Sequence, residues 1–195
     1  VVLCDEVSRY PPSAGSEGDP VSLAIKRSAT FWNRVVVLTS TPTFKLDRIH
    51  SAYEQSDQRR YVVVCPRCEQ EQALDWGRVS WPDGRPQEAT YACEGCGSVW
   101  TEADRLSAIQ RGAWRSTAPF TGVAGFHLSE LYSPWRSVAD IARDYEAAKS
   151  SPEMLRAWTN TSLGLPYEEA GEQVDAHPLM ARAEETLERL YETCA

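Results

Sequence analysis

Cys65-Pro66-Arg67-Cys68 and Cys93-Glu94-Gly95-Cys96 are two C-x2-C pairs in one chain, separated by 24 residues, and no other feature restricts the fold as tightly. Pairs at about this spacing form a tetrahedral zinc site, because each knuckle aims two thiolates at one point and four sulfurs at roughly 2.3 Å close the coordination sphere. A closed sphere is structural. Gly95 and Gly97 are expected to supply the backbone angles of the second turn. A redox dithiol needs a single C-x-x-C at the start of a helix, whereas these two stand among β-prone residues and the aromatics Tyr61, Trp76, Trp81, Tyr91 and Trp100. Disulfides do not suit a cytosolic chain. Residues 61–100 therefore read as a separate small module, a four-cysteine zinc ribbon with Cys65, Cys68, Cys93 and Cys96 as ligands. Of the remaining thiols, Cys4 reads as a small buried apolar residue and Cys194 as a tail thiol.

Upstream of the ribbon the pattern changes. Val1 to Cys4 and Arg34 to Leu38 are short, continuous apolar runs of the kind buried on both faces of a parallel sheet. Between them a Pro/Ser/Gly-rich loop over 10–18 leads to Asp19-Pro20, an N-cap followed by proline at the first helical position, which predicts a helix over Pro20 to Trp32. Strand, helix and strand make a βαβ unit, and such units place ligands at the carboxyl ends of their strands. The polar clusters Asp5-Glu6 and Thr39-Ser40-Thr41-Pro42 fall at those ends. An apolar strand closed by Asp-Glu is the Walker B arrangement, in which the aspartate holds Mg²⁺ and the glutamate activates water. By itself an acidic pair after a strand is common; the second strand end with its hydroxyls makes the reading more specific. The G-x-x-x-x-G-K-[ST] loop is not in this sequence. With no residue before Val1 to pair a strand against, the chain reads as a piece of a longer protein, inactive as an ATPase by itself.

Downstream, Glu102 to Gln110, Val138 to Lys149 and Pro152 to Trp158 are read as helices, Gly125 to Leu128 as strand-like, and Ala181 to Thr193 as a charged helix. A net charge of −8 means that the surface as a whole repels a phosphate backbone, so DNA contact must be local. No run approaches the eighteen apolar residues of a membrane span. Arg59-Arg60 is open to DNA contact, to an arginine-finger role or, more plainly, to simple solvation. His127 is read as structural, and the aromatics from Tyr132 to Trp135 as packing residues rather than base-stacking ones.

The order Asp5-Glu6, Tyr10-Pro11, Gly18-Asp19-Pro20, Thr39-Ser40-Thr41-Pro42, Ser56 to Tyr61, the knuckles, Gly125 to Leu128, Leu131 to Trp135, Asn160-Thr161 and Leu163-Gly164 resembles the lambda-like terminase large subunit. The resemblance covers nearly the whole chain. It implies the carboxyl-terminal part of an α/β P-loop NTPase core over 1–60, the zinc ribbon as an insert over 61–100, and further ATPase-domain strand and helices over 101–195, leading to a nuclease domain not present. It also implies a motor that packages phage DNA with ATP and Mg²⁺. Asp5 would be the Mg²⁺ ligand, Glu6 the catalytic carboxylate, and Thr39, Ser40 and Thr41 the coupling motif. Implied partners are double-stranded DNA, a small terminase subunit, a portal protein and further copies of the chain, in the cytoplasm of a bacterial host. A zinc-ribbon module that binds nucleic acid or a partner without ATPase activity is the alternative.

Overall fold

The computed structural model describes residues 1–168; the expected helix over 181–193 and Cys194 lie outside them. Strands β1 (Val2–Cys4) and β2 (Val36–Leu38) pair in parallel, with Val2 opposite Val36 and Cys4 opposite Leu38. Helix α1 (Pro20–Arg27) runs between them. Asp19 caps it by accepting the Ser22 N–H at 2.8 Å, as its position before Pro20 predicts. The helix stops at Arg27, five residues short of the expected Trp32. Ser28 turns its hydroxyl back to the Ile25 carbonyl at 2.7 Å, and Phe31 and Trp32 stay exposed, so no apolar face extends the helix.

The β1–β2 pair is covered on one face only. Cys4 is buried while Leu3 is 69% exposed, which corrects the expectation of burial on both faces; side chains alternate along a strand, and the described chain packs against just one set. That set forms a small core of Cys4, Val7 and Val21, flanked by Tyr10, Ile25, Leu38 and Ile49. Ile49 comes from α2 (Arg48–Glu54), capped by Asp47. At seven residues this helix shows too few turns for its apolar periodicity to be legible.

The second and larger body is organised on β3 (Arg59–Val64). It pairs antiparallel with β4 (Glu71–Ala73), and β5 (Val79–Ser80), β6 (Thr90–Ala92) and β7 (Val99–Trp100) make an antiparallel sheet of their own. The chain then returns to β3: β8 (Ala113–Arg115) pairs antiparallel and β9 (Phe126–His127) parallel to it. Helices α3 (Glu102–Gln110) and α4 (Val138–Ala148) both open with a capping box, Thr101 with Asp104 and Ser137 with Asp140. Helix α5 (Pro152–Trp158) continues into a π-turn, Thr159–Leu163.

The ribbon does not stand apart from this body. Val63, Cys65, Leu74, Tyr91, Cys93 and Trp100 share one core with Ala108, Leu131, Tyr132, Ile141, Trp158 and Leu163. Strands of two or three residues cannot enclose their own apolar surface, and the later helices complete the enclosure. Trp76 packs at 4.8 Å from Trp158 and 5.4 Å from Tyr145, ring centre to ring centre. Tyr132 closes the join: its hydroxyl donates to the Tyr61 carbonyl and accepts the Leu74 N–H, both at 2.6 Å. Tyr132 is thus a packing residue, as expected, whereas Trp135 in the same stretch is exposed. Buried Arg105 binds the carbonyls of Leu131, Ser133 and Arg136 and pairs with Glu102. Replacing Tyr132 by Phe removes the acceptor of a buried N–H, so Tyr132→Phe is expected to lower unfolding free energy by about 1–3 kcal/mol in chemical denaturation, with bound metal unchanged.

Candidate metal centre and strand-end site

The four cysteine sulfurs lie within 4.8 Å of one another. Zinc at about 2.3 Å from each sulfur of a tetrahedron sets edges of roughly 3.8 Å, and the cluster has Cys65 to Cys96 at 4.0 Å and Cys68 to Cys93 at 3.7 Å. The donor set and its size fit a structural zinc. Cys65 and Cys93 are buried, whereas Cys68 and Cys96 are exposed.

The two knuckles repeat one backbone pattern. Cys65 N–H reaches the Gln70 carbonyl and Glu69 N–H returns to Cys65; Cys93 N–H reaches Ser98 and Gly97 N–H returns to Cys93, all at 2.9–3.0 Å. Each turn needs a left-handed residue, Glu69 at φ 60° in the first and Gly97 at φ 69° in the second. Gly95 has a different role from the one expected: it is not left-handed, and a Cβ there would overlap the Gln70 side chain. Gln72, which the cysteine pattern did not mark, ties the halves together. It donates to Cys93 Sγ at 3.4 Å and accepts the Glu94 N–H at 2.7 Å.

These neighbours bias the thiols. Burial raises the Cys65 thiol, but the backbone N–H groups of Cys68 and Arg67 outweigh it and bring the group down to about 6. The Gln70 backbone favours a thiolate at Cys68, but burial and the sulfurs of Cys96, Cys65 and Cys93 push that thiol up to about 12. Four thiolates crowded this closely require a cation between them to ionise together.

At the strand ends, the Thr39 hydroxyl donates to Asp5 Oδ1, which also accepts the Glu6 N–H at 3.0 Å. The ladder carries on beyond β1 and β2, with Thr39 N–H to Cys4 at 2.9 Å and Val7 N–H to Thr39 at 3.2 Å. Ser40 Oγ accepts the Ser8 N–H at 3.3 Å and donates to the Thr41 carbonyl at 3.0 Å. Glu6 is left-handed and pairs with Arg9 at 3.3 Å. Asp5, Glu6, Thr39 and Ser40 are thus together, with Thr41 next in the chain.

Neither arginine of the 59–60 pair is simply solvated. Arg59 binds buried Asp57 at 2.8 Å and covers the Phe126 ring at 5.1 Å. Arg60 lines a cavity of about 40 Å³ with His127, Ser129 and Leu163. His127 Nε2 lies 3.0 Å from the Leu163 carbonyl, so that nitrogen carries the proton and donates it. Burial, then the charge of Arg60, lowers the His127 pKa and keeps the ring neutral. The histidine is structural.

Residues 1–114 match the family model described as phage terminase large subunit gpA, ATPase domain, and residues 123–192 match terminase large subunit gpA, endonuclease domain. The chain belongs to the phage terminase large subunit gpA family. It is 31% identical over 207 residues to "Terminase, large subunit" of Enterobacteria phage P21 and 27% identical over 210 residues to the protein of the same description from Escherichia phage lambda. Each alignment covers 92% of this chain and 32% of the relative, so the chain spans about a third of their length. No solved structure matches it.

The endonuclease match overturns the expectation that a nuclease domain is absent from this gpA-family chain. The sequence carries no obvious signal there. Between residues 123 and 163 the carboxylates of Glu130, Asp140, Asp144 and Glu146 serve a helix cap or ion pairs. Among the described residues, the four cysteines are the one group of three or more His, Cys, Asp or Glu able to hold a metal. No described helix is long and apolar enough to cross a membrane.

Metal analysis of the purified chain is expected to give about one zinc, and Cys93→Ser is expected to abolish it and expose core tryptophans, read by fluorescence. Since His127 is held neutral, with its folded pKa below the unfolded value of about 6.5, its contribution to stability is present above that value. It is lost as pH falls through the folded pKa. Unfolding free energy should therefore drop as the pH is taken from about 7 to 5, and His127→Gln, which keeps a donor for Leu163, should flatten that part of the profile.

Proposed function

We propose that this chain is part of the motor that packages phage DNA using ATP, and that it contributes as well to the associated DNA cleavage. The single observation that carries the ATPase part is the Thr39–Asp5 hydrogen bond at the carboxyl ends of two parallel strands, within the segment that matches the gpA ATPase domain. On this reading residues 1–60 are the carboxyl-terminal part of a P-loop NTPase core. The ribbon and helix α3 link that core to the nuclease segment.

Asp5 would hold Mg²⁺ and Glu6 would orient the attacking water. Bound Mg²⁺ would neutralise charge on the transferred phosphoryl group. Both contacts that fix Asp5 fall on Oδ1 and hold the carboxylate against the strand end. Glu6 lies one residue further on and faces Arg9, a pair that must open for Glu6 to reach water. Thr39, Ser40 and Thr41 stand where a hydroxyl can respond to the γ-phosphate. Thr39 then links that response to Asp5 directly.

The four cysteines hold a structural zinc in this proposal. DNA and the remaining packaging proteins are its partners, as the family membership supports. The free-standing binding-module alternative fits less well, because the cysteine knuckles belong to the main apolar core instead of forming a separate docking unit.

In the full-length enzyme, Glu6→Gln is expected to keep nucleotide affinity and to lower ATP turnover by about 10²- to 10⁴-fold. Equilibrium binding of a fluorescent ATP analogue, set beside steady-state phosphate release, measures both. Turnover equal to that of the parent would remove Glu6 from the role.

A further inference from the structure

Thr39, Ser40 and Thr41 lie in the smaller body, and the chain between them and the larger body runs through Pro42 and Thr43. Asn160 reaches across to that point. It is 7% exposed and sits second in the π-turn Thr159–Leu163. Its amide nitrogen donates to the carbonyl of Pro42, to that of Thr43 at 2.9 Å, and to Leu165 at 3.3 Å. The Tyr167 N–H adds a further bond to Thr43 at 3.3 Å.

Both ends of this link are anchored. On one side, Thr43 Oγ1 donates at 3.0 Å to Asp47, whose carboxylate caps α2, and Ile49 of that helix packs on the small core. On the other, Trp158 and Leu163 flank Asn160 in sequence and belong to the large core. Trp158 is packed between Trp76 and Tyr145. A π-turn departs from the regular helical ladder and is frequently found at functional sites. Here the register sets a buried amide against carbonyls of a distant segment.

We infer that Asn160 is a positioning residue of the motor, clamping the peptide that follows Thr39-Ser40-Thr41 onto the cysteine-centred core. A displacement at the Asp5–Thr39 strand ends is thereby passed to the body that carries the ribbon and the start of the endonuclease segment. The inference rests on the proposed ATPase role of the strand ends. Chemically, the amide is needed for its two N–H donors. An aspartate of the same shape has none, and it would set a negative charge against backbone carbonyls.

The test uses the full-length enzyme with Asn160→Asp, and with Asn160→Ser where the aspartate variant loses its zinc. Three quantities are read: hydrogen exchange over residues 41–45, steady-state ATP hydrolysis, and DNA packaged per ATP consumed. The clamp predicts faster exchange over 41–45, retained zinc, ATP turnover within about threefold of the parent, and about tenfold less DNA packaged per ATP. Exchange unchanged over 41–45, or ATP turnover and packaging falling in proportion, would overturn the inference, since a structural support lowers both alike. A parent enzyme with no ATPase activity at all would refute the ATPase reading. Faster exchange in the variant would then still show the clamp as a contact, while the coupling role would be lost.

Discussion

The convergence of four sulfurs on one point is the constraint on which the larger body depends. Cys65 and Cys93 belong to the four-sulfur cluster and to the apolar core at once, so the metal-sized cluster and the apolar core enclose each other. Through that cluster, β3 and β4 on one side and the β5–β6–β7 sheet on the other acquire a fixed relation that strands of two to six residues could not maintain. Everything packed later, from α3 to the π-turn, is laid against this frame.

Two cores of unequal size result from this. The small one holds the strand-end carboxylate and hydroxyls. The large one joins the ribbon to helices that match an endonuclease domain, so the boundary between the two family segments runs through a single packed interior. Between the cores the chain is held by directed polar bonds rather than by broad apolar contact: Asn160 on the carbonyls of Pro42 and Thr43, and Asp57 on Arg59 and the Gly125 N–H.

Much of the local structure is legible in the sequence. Asp19-Pro20 marks its helix start, the helices expected from Glu102 and Val138 begin there with Thr101 and Ser137 as caps, and the C-x2-C pairs bring four sulfurs together. The parallel pairing that brings Asp5 to Thr39 followed from two apolar runs and one intervening helix. Less visible were Gln72 and Asn160, because an amide acquires a role only from the groups it faces. The endonuclease segment was equally hidden: within its described part, Glu130, Asp140, Asp144 and Glu146 are occupied in a helix cap and ion pairs.

By itself the sequence determined the features that depend on neighbours within a few residues: helix starts, strand ends and the two thiol pairs that converge on one point. Tertiary structure alone decided that the ribbon shares its interior with the helices after it, that Tyr132 spans β3 and the residue following β4, and that Asn160 closes on the peptide after Thr39-Ser40-Thr41. The physical reason is range. Caps and turns are satisfied by backbone groups three to five residues away, whereas a buried amide or phenol finds its partner only once distant segments have been packed together and water has been excluded.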